Sequence, residues 1–232
     1  VLWVPTTTTT TTTPAMTTMT TTHPNSRQFG KIAVFCGSSI GKNNAYTAPT
    51  IALGEAMAKR GISLVYGGGN VGLMGVIAET VYKGHECRED AVIGVIPDYL
   101  ADSEVSGALV GESIVVGDMH SRKAKMFELA DAFIAIPGGL GTLDETIEIA
   151  TWQQLGLHTK PVGLLNVNGF FDKFIEFLDH AMDQEFIRPP SRGIILEDSD
   201  PEALIDKLAA YVAPRSVVEL AREGSLDPNV RG

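Results

Sequence analysis

The run Pro137-Gly138-Gly139-Leu140-Gly141-Thr142-Leu143-Asp144-Glu145 places the makings of an anion site directly beside carboxylates. Proline and glycines at the end of an apolar segment let the backbone approach a ligand closely. A helix opening at Gly141-Thr142 would aim free N–H groups and its dipole at an anion, with the Thr142 hydroxyl as a further donor. The loop resembles a phosphate cradle but lacks the lysine of a Walker A motif, which argues against ATP hydrolysis. Asp144, Glu145 and Glu148 follow immediately. A single acidic residue here commonly complements a helix dipole. Carboxylates crowded beside a phosphate are electrostatically unwelcome unless they serve the ligand, and one a turn away could face the adjacent sugar.

Positive charge is concentrated elsewhere, in Asp118-Met119-His120-Ser121-Arg122-Lys123-Ala124-Lys125-Met126. Arginine suits bidentate contacts to phosphate or carboxylate. Cations at a helix start oppose the dipole preference, which favours function over a merely solvated face. His120 alone reads as structural or solvated. A third segment, Gly67, Gly69 and Gly72, matches G-x-G-x-x-G between a strand and a helix. The acidic residue about 20 positions on would be Glu89 or Asp90, before the next strand and at the wrong end of a sheet for a ribose. Tight turning with close helix packing is therefore as good an account as a dinucleotide site.

These segments need a frame. Apolar runs predict strands at 31–37, 62–66, 92–96, 113–116, 132–136, 161–166 and 193–196. Helices are expected up to about Arg60, with Pro49 in the first turn and Gly61 as the stop, and from an Asn70 cap to about Lys83, stopped by Gly84. Further helices are expected over Met119 to Ala130, Thr142 to Leu155, Gly169 to Met182 and Pro201 to Tyr211. The third of these carries an aromatic face of Phe170, Phe174 and Phe177. Short, nearly unbroken apolar strands alternating with helices are the mark of a parallel sheet covered on both sides. The fold class is α/β, a Rossmann-like three-layer sandwich with a mostly parallel sheet of about seven strands. Ligands in such folds sit at the carboxyl ends of strands, where the loops 37–41, 67–72 and 137–142 are rich in glycine or small polar residues.

The chain has 232 residues, 44% of them apolar, enough for one well-packed domain. We read 30–214 as that domain. Residues 1–29 form a Thr-rich leader with too little apolar surface to order itself, expected to be disordered or an arm against a neighbouring subunit. Residues 215–232 read as a loose polar tail. A net charge of −10 argues against a nucleic-acid polymer or an anionic membrane as partner. Neither cysteine, Cys36 or Cys87, belongs to a metal-ligand pattern, so a reduced, cytoplasmic chain with no metal is expected. Cys36 reads as a small buried residue. No apolar stretch is long enough to span a bilayer.

Taken together, Arg122-Lys123-Ala124-Lys125-Met126 and Pro137 to Glu145 match R-K-x-x-M paired with P-G-G-x-G-T-x-x-E. In this the chain resembles the LONELY GUY (LOG) proteins, cytokinin riboside 5′-monophosphate phosphoribohydrolases. The resemblance extends to VFCGSS at 34–39, VYGGGNVGLMG at 65–75, TWQQLG at 151–156 and KPVGLLN at 160–166, covering about residues 30–213. It implies hydrolysis of the N-glycosidic bond of an N6-modified AMP to free base and ribose 5-phosphate, with no cofactor. It implies Glu145 and Arg122 as the catalytic pair, and Gly138, Gly139, Gly141 and Thr142 at the phosphate. Lys123, Glu104, Thr151, Gly37, Ser38, Gly68 and Met119 complete the implied substrate-binding set. It also implies a homodimer or higher homo-oligomer with the site near the interface. Proteins of this kind are often labelled lysine decarboxylases, a label for which nothing here indicates a pyridoxal phosphate lysine. Three alternatives stay open: a general AMP phosphoribohydrolase, a non-catalytic nucleotide carrier on the same fold, and a dinucleotide oxidoreductase using Gly67 to Gly72.

Overall fold

The structure, a computed structural model, describes residues 27–101 and 109–223. Most of the Thr-rich leader, Glu104 and the last residues of the tail lie outside the described residues. In chain order the elements are β1 (Lys31–Phe35), α1 (Thr47–Lys59), β2 (Ser63–Tyr66), α2 (Gly72–Gly84), β3 (Val92–Pro97), α3 (Asp98–Ala101), β4 (Glu112–Val116) and α4 (Met119–Leu129). They continue with β5 (Ala132–Ala135), α5 (Leu140–Gln154), β6 (Val162–Leu165), α6 (Asp172–Asp183), α7 (Pro189–Arg192), β7 (Ile195–Asp198), α8 (Pro201–Ala210) and α9 (Val217–Arg222).

The strands form one parallel sheet in the order β4-β3-β2-β1-β5-β6-β7. Alternate residues of each strand enter different cores, which is why the central strands read as unbroken apolar runs. Ile32 and Val34 of β1 join Leu53, Met57, Leu73, Ile77 and Leu204 from α1, α2 and α8. Ala33 and Phe35 join Met126, Phe133, Ile149 and Leu178 on the opposite face, under α4, α5 and α6. The three-layer sandwich is thus present. β4 is an edge strand with exposed positions, including Val115. Among the described residues no helix is long and apolar enough to cross a membrane.

Several local expectations change. Asn70 does not cap α2: Val71 stands at the N-cap without a side-chain bond, and the Leu73 N–H donates to the Gly37 carbonyl at 3.1 Å. The loop after β1 thus takes over the capping task. Gly84 is the last helical residue rather than the stop, because a side chain there would collide with Ala58 of α1. The aromatic face of the sixth helix is also redrawn. Phe171, just before α6, is fully buried, whereas Phe170 precedes the helix and Phe177 is 61% exposed. Part of the tail is ordered as α9, started by a capping box between Ser216 and Glu219.

Candidate functional site

The strand order reverses direction between β1 and β5, the position where open α/β sheets leave a crevice for ligands. The loops leaving those two strands are laced together there: the Gly37 N–H donates to the Pro137 carbonyl at 3.1 Å. Any side chain at Gly138 would collide with Thr142 Oγ1 and come within 2.8 Å of the Gly37 nitrogen, so glycine is required for this approach. Gly72 is needed similarly, with φ 60° and its α-carbon against the Ser38 backbone. Gly37, Ser38, Gly72 and Gly138 therefore form one floor.

Helix α5 opens at Leu140 with Gly139 as N-cap, two residues before the expected start. Its leading N–H groups have no intrahelical acceptor. A Cβ at Gly139 or Gly141 would meet nothing within 4 Å, which leaves room in front of those donors. Thr142 is 3% exposed, with its hydroxyl in the notch made by Gly138. It sits behind the cradle rather than at its lip. The earlier start moves Asp144 and Glu145 into the second turn, and no acidic residue occupies the first. They are therefore not complements to the helix dipole, which acts within the first turn.

Glu145 lies about 7.5 Å along the axis from the first helical residue. It meets Arg122 of α4, whose Nη1 donates to Glu145 Oε1 at 2.7 Å. Their side chains are only 13% and 10% exposed. Arg122 is anchored further by Nε donating to the Val95 carbonyl at 3.1 Å and by Nη1 against Met119 Sδ at 3.3 Å. A side chain at Gly67 would collide with Arg122 Nη2, so this glycine clears space for the guanidinium. The G-x-G-x-x-G match is thereby explained by packing: Gly67 admits Arg122, and Gly72 admits Ser38.

The α4 start is stabilised by Asp118, the N-cap, which accepts from the Ser121 N–H at 2.7 Å. That bond holds its carboxyl below the usual range. The cap offsets the placement of Arg122 and Lys123 near a helix N-terminus. Lys123 donates to Asp144 at 3.2 Å and reaches Glu148 at 2.9 Å. Two consecutive cations of α4 thus engage three carboxylates of α5.

Burial pushes the Glu145 carboxyl above its ordinary value, and Arg122 pulls it partly back. A carboxylate tuned between these influences can exchange protons or stabilise positive charge. Cys36, following β1, feels both members of the pair, and its thiol is pushed up by burial and then by Glu145. It stays a neutral thiol beside the ion pair.

The structure thus brings Gly37, Ser38, Gly138, Gly139, Gly141, Met119, Arg122, Lys123 and Glu145 to one end of the sheet. Gly68 is buried against Ile96, in the wall of that region. Thr151 is separated from it: six residues beyond Glu145 on another side of α5, it lines a small cavity with Ile147, Leu178 and Ile187. The Val95 carbonyl and the Gly67 clearance escaped sequence reasoning, because a backbone acceptor has no residue signature.

The family model described as "Possible lysine decarboxylase" matches residues 74–208. The chain is 50% identical over 188 residues to the probable cytokinin riboside 5′-monophosphate phosphoribohydrolase LOGL6 of Oryza sativa subsp. japonica, covering 81% of this chain and 73% of that protein. It is 49% identical to the cytokinin riboside 5′-monophosphate phosphoribohydrolase LOG1 of Arabidopsis thaliana, covering 80% and 85%. Among solved structures, the molybdenum cofactor binding protein from Rippkaea orientalis superposes with a TM-score of 0.57 at 27% identity, over 78% of this chain and 95% of that one. The molybdenum cofactor carrier protein of Chlamydomonas reinhardtii shares the fold at a TM-score of 0.54 and 23% identity, over 78% and 98%. With half of its aligned positions identical to a curated LOG protein across most of its length, the chain belongs to the LOG family.

Proposed function

We propose that this protein hydrolyses the N-glycosidic bond of cytokinin riboside 5′-monophosphates, releasing the free base and ribose 5-phosphate. The observation that carries the reading is a buried carboxylate, fixed by arginine, one turn beyond an open helix N-terminus. The phosphate docks on the leading amides of α5, around Gly139 and Gly141, and the cradle's binding energy holds the ribose in register. The anomeric carbon then faces Glu145. As the C1′–N9 bond lengthens, positive charge develops on the sugar and the Glu145 carboxylate stabilises it. Glu145 also orients the attacking water, whose oxygen bonds to C1′ while one proton reaches the departing base. Arg122 holds the carboxylate in place. Glu104 and Thr151 are assigned to the nucleotide by family likeness, and Thr151 requires a surface beyond the cradle described here. A homo-oligomer that places a second subunit near the site supplies one. Exposed Leu140 and Ile147 on α5 favour this arrangement.

The test is chromatography of products from isopentenyladenosine 5′-monophosphate, AMP and isopentenyladenosine side by side. Free base and ribose 5-phosphate from the first, with far slower release from the riboside, is expected. Equal rates with and without the phosphate refute the cradle. Light scattering of the active protein that finds only monomer refutes the shared site.

A further inference from the structure

The connection from α5 to β6 grips both α4 and α5 from the amino end of the strands, opposite the cradle. Its bearing on turnover rests on the reading of Glu145 as the group at the sugar. Lys160 Nζ donates to the Phe127 carbonyl at 2.6 Å and lies 4.2 Å from the centre of the Phe127 ring. Phe127 stands in the last turn of α4, where carbonyls lack helical partners, and α4 has no basic residue of its own there. The Asp131 N–H, which could have continued the helix, donates instead to the Lys31 carbonyl at 2.8 Å. Lys160 therefore brings from another segment the cation that the negative end of α4 favours.

His158, two residues earlier, reaches α5. The Lys160 N–H donates to His158 Nδ1 at 3.0 Å, so the proton of the neutral ring sits on Nε2, which donates to the Ile149 carbonyl at 2.9 Å. Ile149 is about one helical turn beyond Glu145. The ring centre lies 5.1 Å from that of Phe127 on α4 and 6.2 Å from that of Phe133 on β5.

We propose that His158 and Lys160 are positioning residues: the neutral imidazole and the ammonium together fasten α5 to α4 and so keep Glu145 in place, and protonation of His158 undoes the fastening.

The imidazole serves only while neutral, because a second proton on Nδ1 would face the Lys160 N–H. Burial, with a smaller push from Lys160, holds the ring below the ordinary imidazole value, against the pull of the Ile149 carbonyl. Glu128 of α4 and Asp131, between α4 and β5, act on Lys160 and support its charge. From α5 and β5 the ring meets Ile149 and Phe133. The unfolded chain takes up this proton below about pH 6.5 while the native one resists it. The stability that His158 contributes is therefore present above that pH and is lost as pH falls towards the native value.

The experiment follows thermal unfolding, and kcat for isopentenyladenosine 5′-monophosphate, from about pH 5 to about pH 8. It compares wild type with His158→Phe, Lys160→Met, Lys160→Arg and Glu145→Gln. At the alkaline end His158→Phe is expected to unfold about 3–8 °C below wild type and to turn over about 3- to 30-fold more slowly. Both gaps narrow as pH falls. Glu145 titrates in both proteins, so its own effect cancels in the ratio of rates. Lys160→Met is expected to slow turnover similarly, and Lys160→Arg to recover most of the rate. Gaps that stay constant with pH overturn the pH-sensitive fastening, and unchanged kcat in both His158→Phe and Lys160→Met overturns the positioning role. Should these variants not fold, heteronuclear NMR of the wild-type histidine rings decides. An Nε2–H tautomer at His158 that titrates below the exposed imidazoles is expected, and an Nδ1–H tautomer or an ordinary titration overturns the proposal. Full activity of Glu145→Gln overturns instead the catalytic reading on which the link to turnover rests.

Discussion

Two clusters in this molecule use nearly the same side chains to fasten one helix to another. At the end of α1, Lys59 and Arg60 face Glu202 and Asp206 of α8; on α4, Arg122 and Lys123 face Asp144, Glu145 and Glu148 of α5. In the first cluster Lys59 and Glu202 are 77% and 42% exposed, whereas Arg122 and Glu145 are 13% and 10% exposed. Water screens the first and is largely excluded from the second. Their electrostatic outcomes differ accordingly. At Glu202 desolvation is the largest single influence, yet Arg60 and Lys59 together hold the carboxyl below its ordinary range; Glu145 is driven above its range by burial despite Arg122. Only the second lies at the carboxyl ends of the strands. The difference teaches that the type of ion pair says little. Solvent access and location set the two clusters apart, and only the second is placed for the reaction proposed above.

That contrast can be broken at several points, beginning with the largest effect. Glu145→Gln is expected to lower kcat about 10²- to 10⁴-fold, with a smaller stability loss than Arg122→Ala because the Gln carbonyl can still accept from the guanidinium. Near-normal base release by the purified variant would remove the special standing of the buried cluster. Arg122→Ala leaves the Glu145 carboxylate buried without its partner, which costs about 3–5 kcal/mol in urea unfolding as well as activity. The double variant Arg122→Ala/Glu145→Gln should be more stable than Arg122→Ala alone, since the orphaned charge is gone. No such recovery would mean that Arg122 stabilises through packing instead.

Gly67→Ala tests the clearance. The added methyl displaces the Arg122 guanidinium, so kcat should fall with a stability loss of about 1–3 kcal/mol from overpacking. An unchanged kcat would show that the arginine tolerates movement. At the far end of the scale, Arg60→Gln should cost less than about 1 kcal/mol and leave kcat untouched. A loss of turnover there would contradict the division between fastening and reactive cluster.

Much of this arrangement was legible in the sequence, and the remainder was hidden for identifiable reasons. The strands announced themselves because residues such as Ile32 to Phe35 feed alternating cores and must all be apolar. Helix ends were harder. Asn70 looked like a cap, but the Gly37 carbonyl from a distant strand had already engaged the α2 start. The start of α5 was placed late because Gly139 caps without a side chain and Leu140, an apolar residue, stands 87% exposed there. Ser216 and Glu219 spelled a capping box in a stretch dismissed as loose tail. Within the site, anion cradle and adjacent carboxylate could be inferred from local pattern. The pairing of Arg122 with Glu145, 23 residues apart, came only through family likeness, since local spacing carries no signal for a contact between two helices. The ion pairs of Lys123 with Asp144 and Glu148 were hidden for the same reason: they exist only once α4 and α5 are side by side.

The anchoring of Arg122 has a final consequence for the temperature dependence of the reaction. Its guanidinium is held by the Val95 carbonyl, the Met119 thioether and Glu145, in space that Gly67 leaves vacant. A long side chain gives up as much as about 2 kcal/mol of rotamer freedom when it is fixed. Here that freedom is surrendered once, during folding, rather than at each encounter with substrate. If Arg122 holds Glu145 during the proposed reaction, the activation entropy of turnover is correspondingly relieved of the ordering of this side chain.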